Sequence, residues 1–330
     1  MPFVPVQESW FQGAISLENT PDGIHPWRIP HGQRVLFSEG LVGRAARPSG
    51  VRMRLTTDAA ELTVKAAIVE PEEDPVLWDV TVGGDLVCTD RMADGAAAFT
   101  GLPAGEKTVD IWLPQFARIA VAGMEVPDGA SLAPAADDRG RWVTYGSSIT
   151  HCRAAHSPAR TWPATAARLR NLHLTSLGFG GECHLEPLLG MTIRDLPADV
   201  ISLKLGINTH GGSLGGRTYP ELAIGLVRII REEHPVTPIA LISPILSPPR
   251  EQKRASGSSL TLREMREHLQ RAAERLREAG DENVHYFSGL ELFGEDLAAT
   301  CLPDNLHPNG DGYEAMGRNF AERVLEKLGF

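Results

Sequence analysis

Four short segments of this 330-residue chain carry side chains suited to chemistry, each after an apolar run or just ahead of a helical one. WVTYGSSIT sets Gly146, Ser147, Ser148 and Ile149 directly after an apolar run. A serine there is displayed at a strand's end, and its own N–H can face a developing oxyanion. LGFGGE places Gly181 after a second run, where the missing Cβ lets a backbone N–H come close to a substrate. LKLGIN ends a third run at Asn208, whose amide is an uncharged donor. DNLHPNGDGY holds Asp304 and His307 three residues apart, before the last helical segment. These residue types suit acyl transfer through a serine. A hydroxyl is a poor nucleophile until an imidazole accepts its proton, a carboxylate on the other ring nitrogen fixes the tautomer, and the tetrahedral oxyanion needs donors already in place.

The elements that would position these groups follow from periodicity. From about Arg141 onward, apolar runs alternate with segments of helical period, the pattern of parallel βα units. Strands are expected at Trp142 to Tyr145, Leu172 to Leu177, Val200 to Leu205, Ile239 to Ile242 and Val284 to Phe287. Between Thr261 and Ala279, one helix face carries Leu262, Met265, Leu269, Ala272 and Leu276, with Arg263 and Glu267 paired on the other. A last helix, from Asp311 to Lys327, turns Met316, Phe320 and Val324 inward. Five such strands predict an α/β fold, a flavodoxin-like doubly wound parallel sheet whose ligands sit beyond the strands' carboxyl ends.

The first 138 residues read differently. Gly, Pro and Asp interrupt short alternating segments, among them VRMRL, LTVKA, WDVTV, TVDIWL and ARIAVAGMEV, which predicts an all-β sandwich. The division expected is a sandwich over residues 1–138 and a catalytic unit over 139–330, with residues 127–140 as the linker. PPREQKRASGSS, residues 248–259, follows a strand's carboxyl end and reads as a surface loop, with a lid as the alternative.

The four blocks, in this order, resemble the SGNH hydrolases, also called the GDSL family, over roughly residues 141–330. The resemblance implies Ser148 as nucleophile, His307 as general base and Asp304 as its orienting partner. It implies Gly181 N–H, the Asn208 amide and Ser148 N–H as oxyanion donors. Two positions depart from the family pattern: Ser147 stands where the family usually has Asp, and Thr209 where Asp often follows the Asn. Neither carries a proton or attacks. The strings YGSSIT, RTWPA and GFGGECHLEP are more similar to a two-domain subgroup with an N-terminal sandwich resembling a carbohydrate-binding module. By that analogy the first half helps shape the pocket, and HPWRIP, with His25, Trp27 and Arg28, is the expected wall. The activity expected is an esterase cleaving an acyl group from a sugar or other small alcohol. The alternatives are an acyltransferase delivering it to a hydroxyl of a small-molecule acceptor and, from another class, an inactive ligand-binding module.

Other signals compete with these. GGSLG at 211–215 satisfies G-x-S-x-G around Ser213, but seven residues separate it from the strand end at Leu205, too far for a nucleophile elbow. His151 with Cys152 and Cys183 with His184 have the chemistry of zinc ligands, yet small buried thiols beside pocket histidines are the more ordinary reading. GEKT at 105–108 lacks the phosphate-loop order, and the acidic run EPEED at 70–74 reads as a solvated turn. No cofactor or metal is expected. A net charge of −10 leaves no basic surface for nucleic acid or anionic membrane. Four dispersed cysteines, no basic-then-apolar leader and no long apolar stretch lead us to expect a cytoplasmic protein.

Overall fold

The second half is built on strands buried on both faces. Every position of Val200–Lys204 and of Ile239–Ile242 is buried, which is the signature of a parallel sheet covered by helices on each side. In the computed structural model, which describes residues 1–70 and 75–330, five parallel strands run in the order His173–Gly178, Arg141–Gly146, Val200–Lys204, Ile239–Ile242, Val284–Phe287. The chain's first strand of this sheet therefore lies between its second and third, so its carboxyl end is the topological switch point. The expected strands match within a residue at each end. The EPEED reading lies, from residue 71 on, outside the described residues.

Helix Leu262–Glu278 begins at Thr261 with a capping box closed by Glu264. Its expected apolar face is buried, and Arg263 pairs with Glu267 at 3.3 Å. The last helix differs from expectation. It is α-helical over Gly310–Phe320, widens to a π turn over Ala321–Leu325 and ends as a 3₁₀ turn at Leu328. Met316, Phe320 and Val324 are nevertheless buried, with Phe320 stacked on Trp142.

The first half forms two six-stranded antiparallel sheets sharing one core, in which Met53, Leu55, Val80, Val109 and Ile111 meet Leu62, Val64, Ile119 and Val121. One helix escaped the sequence reading: Glu39–Ala45, capped by Ser38. It leaves the sandwich, and its Leu41 and Ala45 join Trp27 and Ile29 in a core with Tyr145, Leu177 and Phe179 of the second half. The expected linker is also more structured than its composition suggested. Leu132–Pro134 adds a strand beside Arg52–Thr57, and Asp137 accepts from Arg139 at 2.7 and 2.6 Å and lies 2.9 Å from His173 Nδ1.

Buried guanidiniums tie the halves together through backbone carbonyls. Arg28 donates to Ser176 O at 3.1 Å and Gly178 O at 2.7 Å, and Arg52 to Leu174 O at 3.0 Å. Such acceptors satisfy the buried Arg28 cation, which would otherwise be costly to desolvate, whereas Arg52 also relies on the Asp110 and Asp137 carboxylates at 3.6 and 3.7 Å. Among the described residues, no helix is long and apolar enough to cross a membrane.

Two buried histidines, His25 and His151, and the half-buried His173 make stability pH-dependent. Burial pushes His25, His151 and His173 below the ordinary imidazole value. The folded state therefore holds them neutral where the unfolded chain, with imidazoles near roughly 6.5, takes up protons. Unfolding gains protons on acidification, so stability falls as pH drops through that value. The melting temperature is expected to decline from about pH 7 to about pH 5; a flat thermal profile over that window would contradict the assignment.

Candidate active site

Ser147 explains how the chain dispenses with the family's aspartate. It is the N-cap of the short helix Ser148–His151, its Oγ accepting from Ile149 N–H at 3.3 Å, a role serine and aspartate fill about equally. Ser148 is thereby the first helical residue, and its N–H has no partner within the helix. Two glycines let this turn sit tight on the sheet. A Cβ on Gly146 would lie 2.2 Å from Thr150 Oγ1, and one on Gly178 2.4 Å from His151 N.

The Ser148 hydroxyl lies 2.9 Å from His307 Nε2, and His307 Nδ1 lies 2.7 Å from Asp304 Oδ2. With Nδ1–H donated to the carboxylate, Nε2 carries the lone pair that accepts from the serine. The other carboxylate oxygen accepts the His307 and Leu306 N–H groups at 2.6 and 2.9 Å. Partial burial works to raise the Asp304 carboxyl, but the N–H and ring donors outweigh it and hold the group below its ordinary value. The turn is braced from outside: Asn305, at φ +60°, presents a carbonyl that accepts from Ser247 Oγ at 2.5 Å and Arg250 Nη1 at 3.3 Å. The loop read as a possible lid is pinned here, with Glu251 bound by Arg266 at 2.6 and 2.8 Å. It supports the His307 turn and does not line the cleft.

Asn208 sits in the 3₁₀ turn Ile207–Gly211 after the third strand. Its Oδ1 accepts from Cys183 N–H at 3.0 Å, which leaves the amide NH₂ for the cleft. Thr209 bonds back to Gly206 O at 2.7 Å and is buried, closing the turn without an acid. Gly181 has φ +82°, and a Cβ there would meet no protein atom within 4 Å. Glycine is thus required by the backbone conformation, with open space on its side-chain face.

A cleft of about 590 Å³ brings together Ser148, Gly181, Asn208, Asp304 and His307, along with Arg44, Phe116 and Arg153. The expected wall was misplaced. His25, Trp27 and Arg28 are buried and do not line the cleft; the first half reaches it through Arg44, on the unforeseen helix, and Phe116.

His151 is likewise no pocket residue: it is fully buried, with Nε2 2.9 Å from Gln115 O. Cys152 and Cys183 are core thiols, and burial pushes both up, Cys183 to about 12. Among the described residues no group of three or more His, Cys, Asp or Glu is placed to hold a metal ion.

Ser213 has a histidine of its own. His184 Nδ1 lies 2.9 Å from Ser213 Oγ, and Nε2 lies 3.0 Å from Gly181 O. Because a carbonyl can only accept, Nε2 carries the proton and Nδ1 accepts from Ser213. The far side of this ring meets a carbonyl where His307 meets a carboxylate, so an imidazolium would lack a stabilising charge. Ser213→Ala removes one exposed neutral hydrogen bond and is expected to lower turnover by less than about tenfold. A loss comparable to that of Ser148→Ala in the same ester assay would transfer the nucleophile's role to Ser213.

These features define a serine acyl-handling enzyme on a doubly wound sheet. Residues 140–326 match the model of the GDSL-like lipase/acylhydrolase family, and residues 9–122 match the SsfX3 N-terminal domain. The chain belongs to the GDSL-like lipase/acylhydrolase family, and it is an enzyme of the esterase and acyltransferase class.

Among solved structures it is similar to the salicylyl-acyltransferase SsfX3 from a tetracycline biosynthetic pathway, with 38% identity over 99% of this chain and 97% of that one, at a TM-score of 0.90. A Bacteroides ovatus protein proposed to be a GDSL-like lipase shares the fold at 17% identity, covering 99% and 97% of the two chains, with a TM-score of 0.80. A family two carbohydrate esterase from Clostridium thermocellum does so at 16%, over 85% and 93%, with a TM-score of 0.66. No curated protein matches the chain.

Proposed function

We propose that Ser148 attacks the carbonyl of an acyl ester and passes its proton to His307 Nε2, while Asp304 holds the ring and stabilises the imidazolium. Ser148 N–H, Gly181 N–H and the Asn208 amide receive the oxyanion. The tetrahedral intermediate collapses to an acyl-serine as His307 returns the proton to the departing alcohol. His307 then activates a second hydroxyl, which takes the acyl group and regenerates Ser148. The observation that carries this reading is the run of contacts from Ser148 Oγ to His307 at 2.9 Å and onward to Asp304 at 2.7 Å.

The second hydroxyl, in this reading, belongs to a small-molecule acceptor. The support is the acyltransferase related to this chain along almost its whole length. A second reading, hydrolysis of an ester of a sugar or other small alcohol, is favoured by a different observation. The His307 and Asp304 side chains are 33% and 54% exposed, so water reaches the base that would activate it. Product analysis of an aryl ester with increasing sugar or aromatic alcohol separates the two. Transfer predicts new ester at the expense of free acid, and hydrolysis predicts free acid alone at every alcohol concentration.

We read residues 1–138 as the sandwich unit and 139–330 as the catalytic unit, working together because Arg44 and Phe116 complete the cleft. Four free thiols support a reducing, cytoplasmic setting.

A further inference from the structure

Arg44 is a cation placed beside the candidate nucleophile by the half of the chain that does not carry it. Its Nε donates to Gly180 O at 3.1 Å, and its guanidinium carbon lies 5.6 Å from the centre of the Phe116 ring. One edge is thus tied to the loop that carries Gly181 and one face rests on an aromatic. A Cβ built on Gly180 would lie 3.5 Å from Ser148 Cβ and 3.8 Å from Arg44 Nε, so serine and guanidinium flank one glycine. Among the described residues no carboxylate lies within ion-pairing distance of Arg44. Two acids on the loops beside the cleft are otherwise engaged: Asp304 holds His307, and Glu182 accepts from Ser38 at 3.2 Å. Arg47 and Arg153 lie 5.9 and 5.5 Å from the same Phe116 ring, and Arg28 is buried behind it, with its Nη2 3.5 Å from His151 Nε2. In a chain of net charge −10, a guanidinium seated on an aromatic at the edge of the nucleophile's cleft offers charge-assisted hydrogen bonds to an anionic group that binds there.

We propose that Arg44 is a specificity-determining residue that binds an anionic oxygen group of the substrate, a carboxylate or phosphate, next to the acyl group handled by Ser148. The planar guanidinium offers its Nη edges as a fork matched to two oxygens. Phe116 holds that fork in place and shields it from water. The inference rests on the reading of Ser148 as nucleophile, and it adds the class of substrate.

The test compares kcat/KM for three esters: phenyl acetate, which is neutral; 4-acetoxybenzoate, with the carboxylate on the departing alcohol; and the phenyl half-ester of succinate, with the carboxylate on the acyl group. Wild type is expected to prefer one of the charged esters to the neutral one by at least about tenfold, which also tells on which side of the scissile bond the anion sits. That ratio should fall to about one in Arg44→Gln, be partly restored in Arg44→Lys, and narrow as salt is raised. Equal use of all three esters by wild type, or a preference that survives Arg44→Gln, would overturn the proposal. Ratios are read on protein that a neutral fluorophosphonate still labels at Ser148, so a collapsed site is told apart from lost recognition. Should Arg44→Gln not fold, inhibition of wild type decides: benzoate or inorganic phosphate is expected to inhibit phenyl acetate hydrolysis where benzamide does not, and equal effects of anion and amide would count against the proposal. Undiminished hydrolysis of all three esters by Ser148→Ala would instead remove the underlying reading.

Discussion

Ser148→Ala and His307→Ala each lower turnover of an ester substrate by at least about 10⁴-fold, and the double variant is scarcely worse than either alone, because the two side chains act as a unit. The geometry makes these clean experiments. The hydroxyl of Ser148 bonds to His307, so removing it leaves the fold of the helix Ser148–His151 to Ser147, which supplies the cap. Asp304 keeps the two backbone N–H donors of its turn when the imidazole is lost. Steady-state kinetics on the folded variants, with melting curves as the control, checks the expectation. Additive losses in the double variant would mean that the serine and the histidine serve separate steps.

The second large effect is expected at Asn208. On the proposed mechanism Asn208 donates to the oxyanion, so Asn208→Ala should cost about 100 to 1000-fold in kcat with little change in KM. Because Asn208 also accepts from Cys183 N–H at 3.0 Å, alanine alone does not separate chemistry from loop support. Asn208→Asp does. The carboxylate preserves the acceptor for Cys183 but replaces the NH₂ donor with negative charge facing the oxyanion, so its kcat should be at least as low as that of the alanine variant. Recovery of activity in Asn208→Asp would assign the residue to loop support alone.

The convergence of the five proposed site residues on one cleft was legible because each lies in a short motif at a strand's carboxyl end or a helix's start, where one apolar run and a few polar letters fix the position. The strands of the parallel sheet were legible for a related reason: burial on both faces leaves continuous apolar runs such as Ile239–Ile242. The cleft's other wall was not. Arg44 stands on a helix of seven residues, EGLVGRA, with two glycines and only Leu41 and Ala45 buried, too short for a 3.6-residue period to emerge. Phe116 lies in the loop between the strands Lys107–Trp112 and Arg118–Glu125, where no periodicity marks a side chain as facing a cleft. HPWRIP attracted the wall assignment through aromatic and cationic letters, but its Arg28 finds its acceptors in the carbonyls of the neighbouring half, a choice visible only in three dimensions. The π turn at Ala321–Leu325 was hidden because it preserves the burial of Val324, the one feature the pattern reports.

Labelling with a neutral fluorophosphonate, followed by mass spectrometry of the modified peptide, tests the central claim most directly. The adduct is expected on Ser148 in the wild-type protein, and Ser148→Ala should remain unlabelled. An adduct on Ser213, or undiminished labelling of Ser148→Ala, would contradict it.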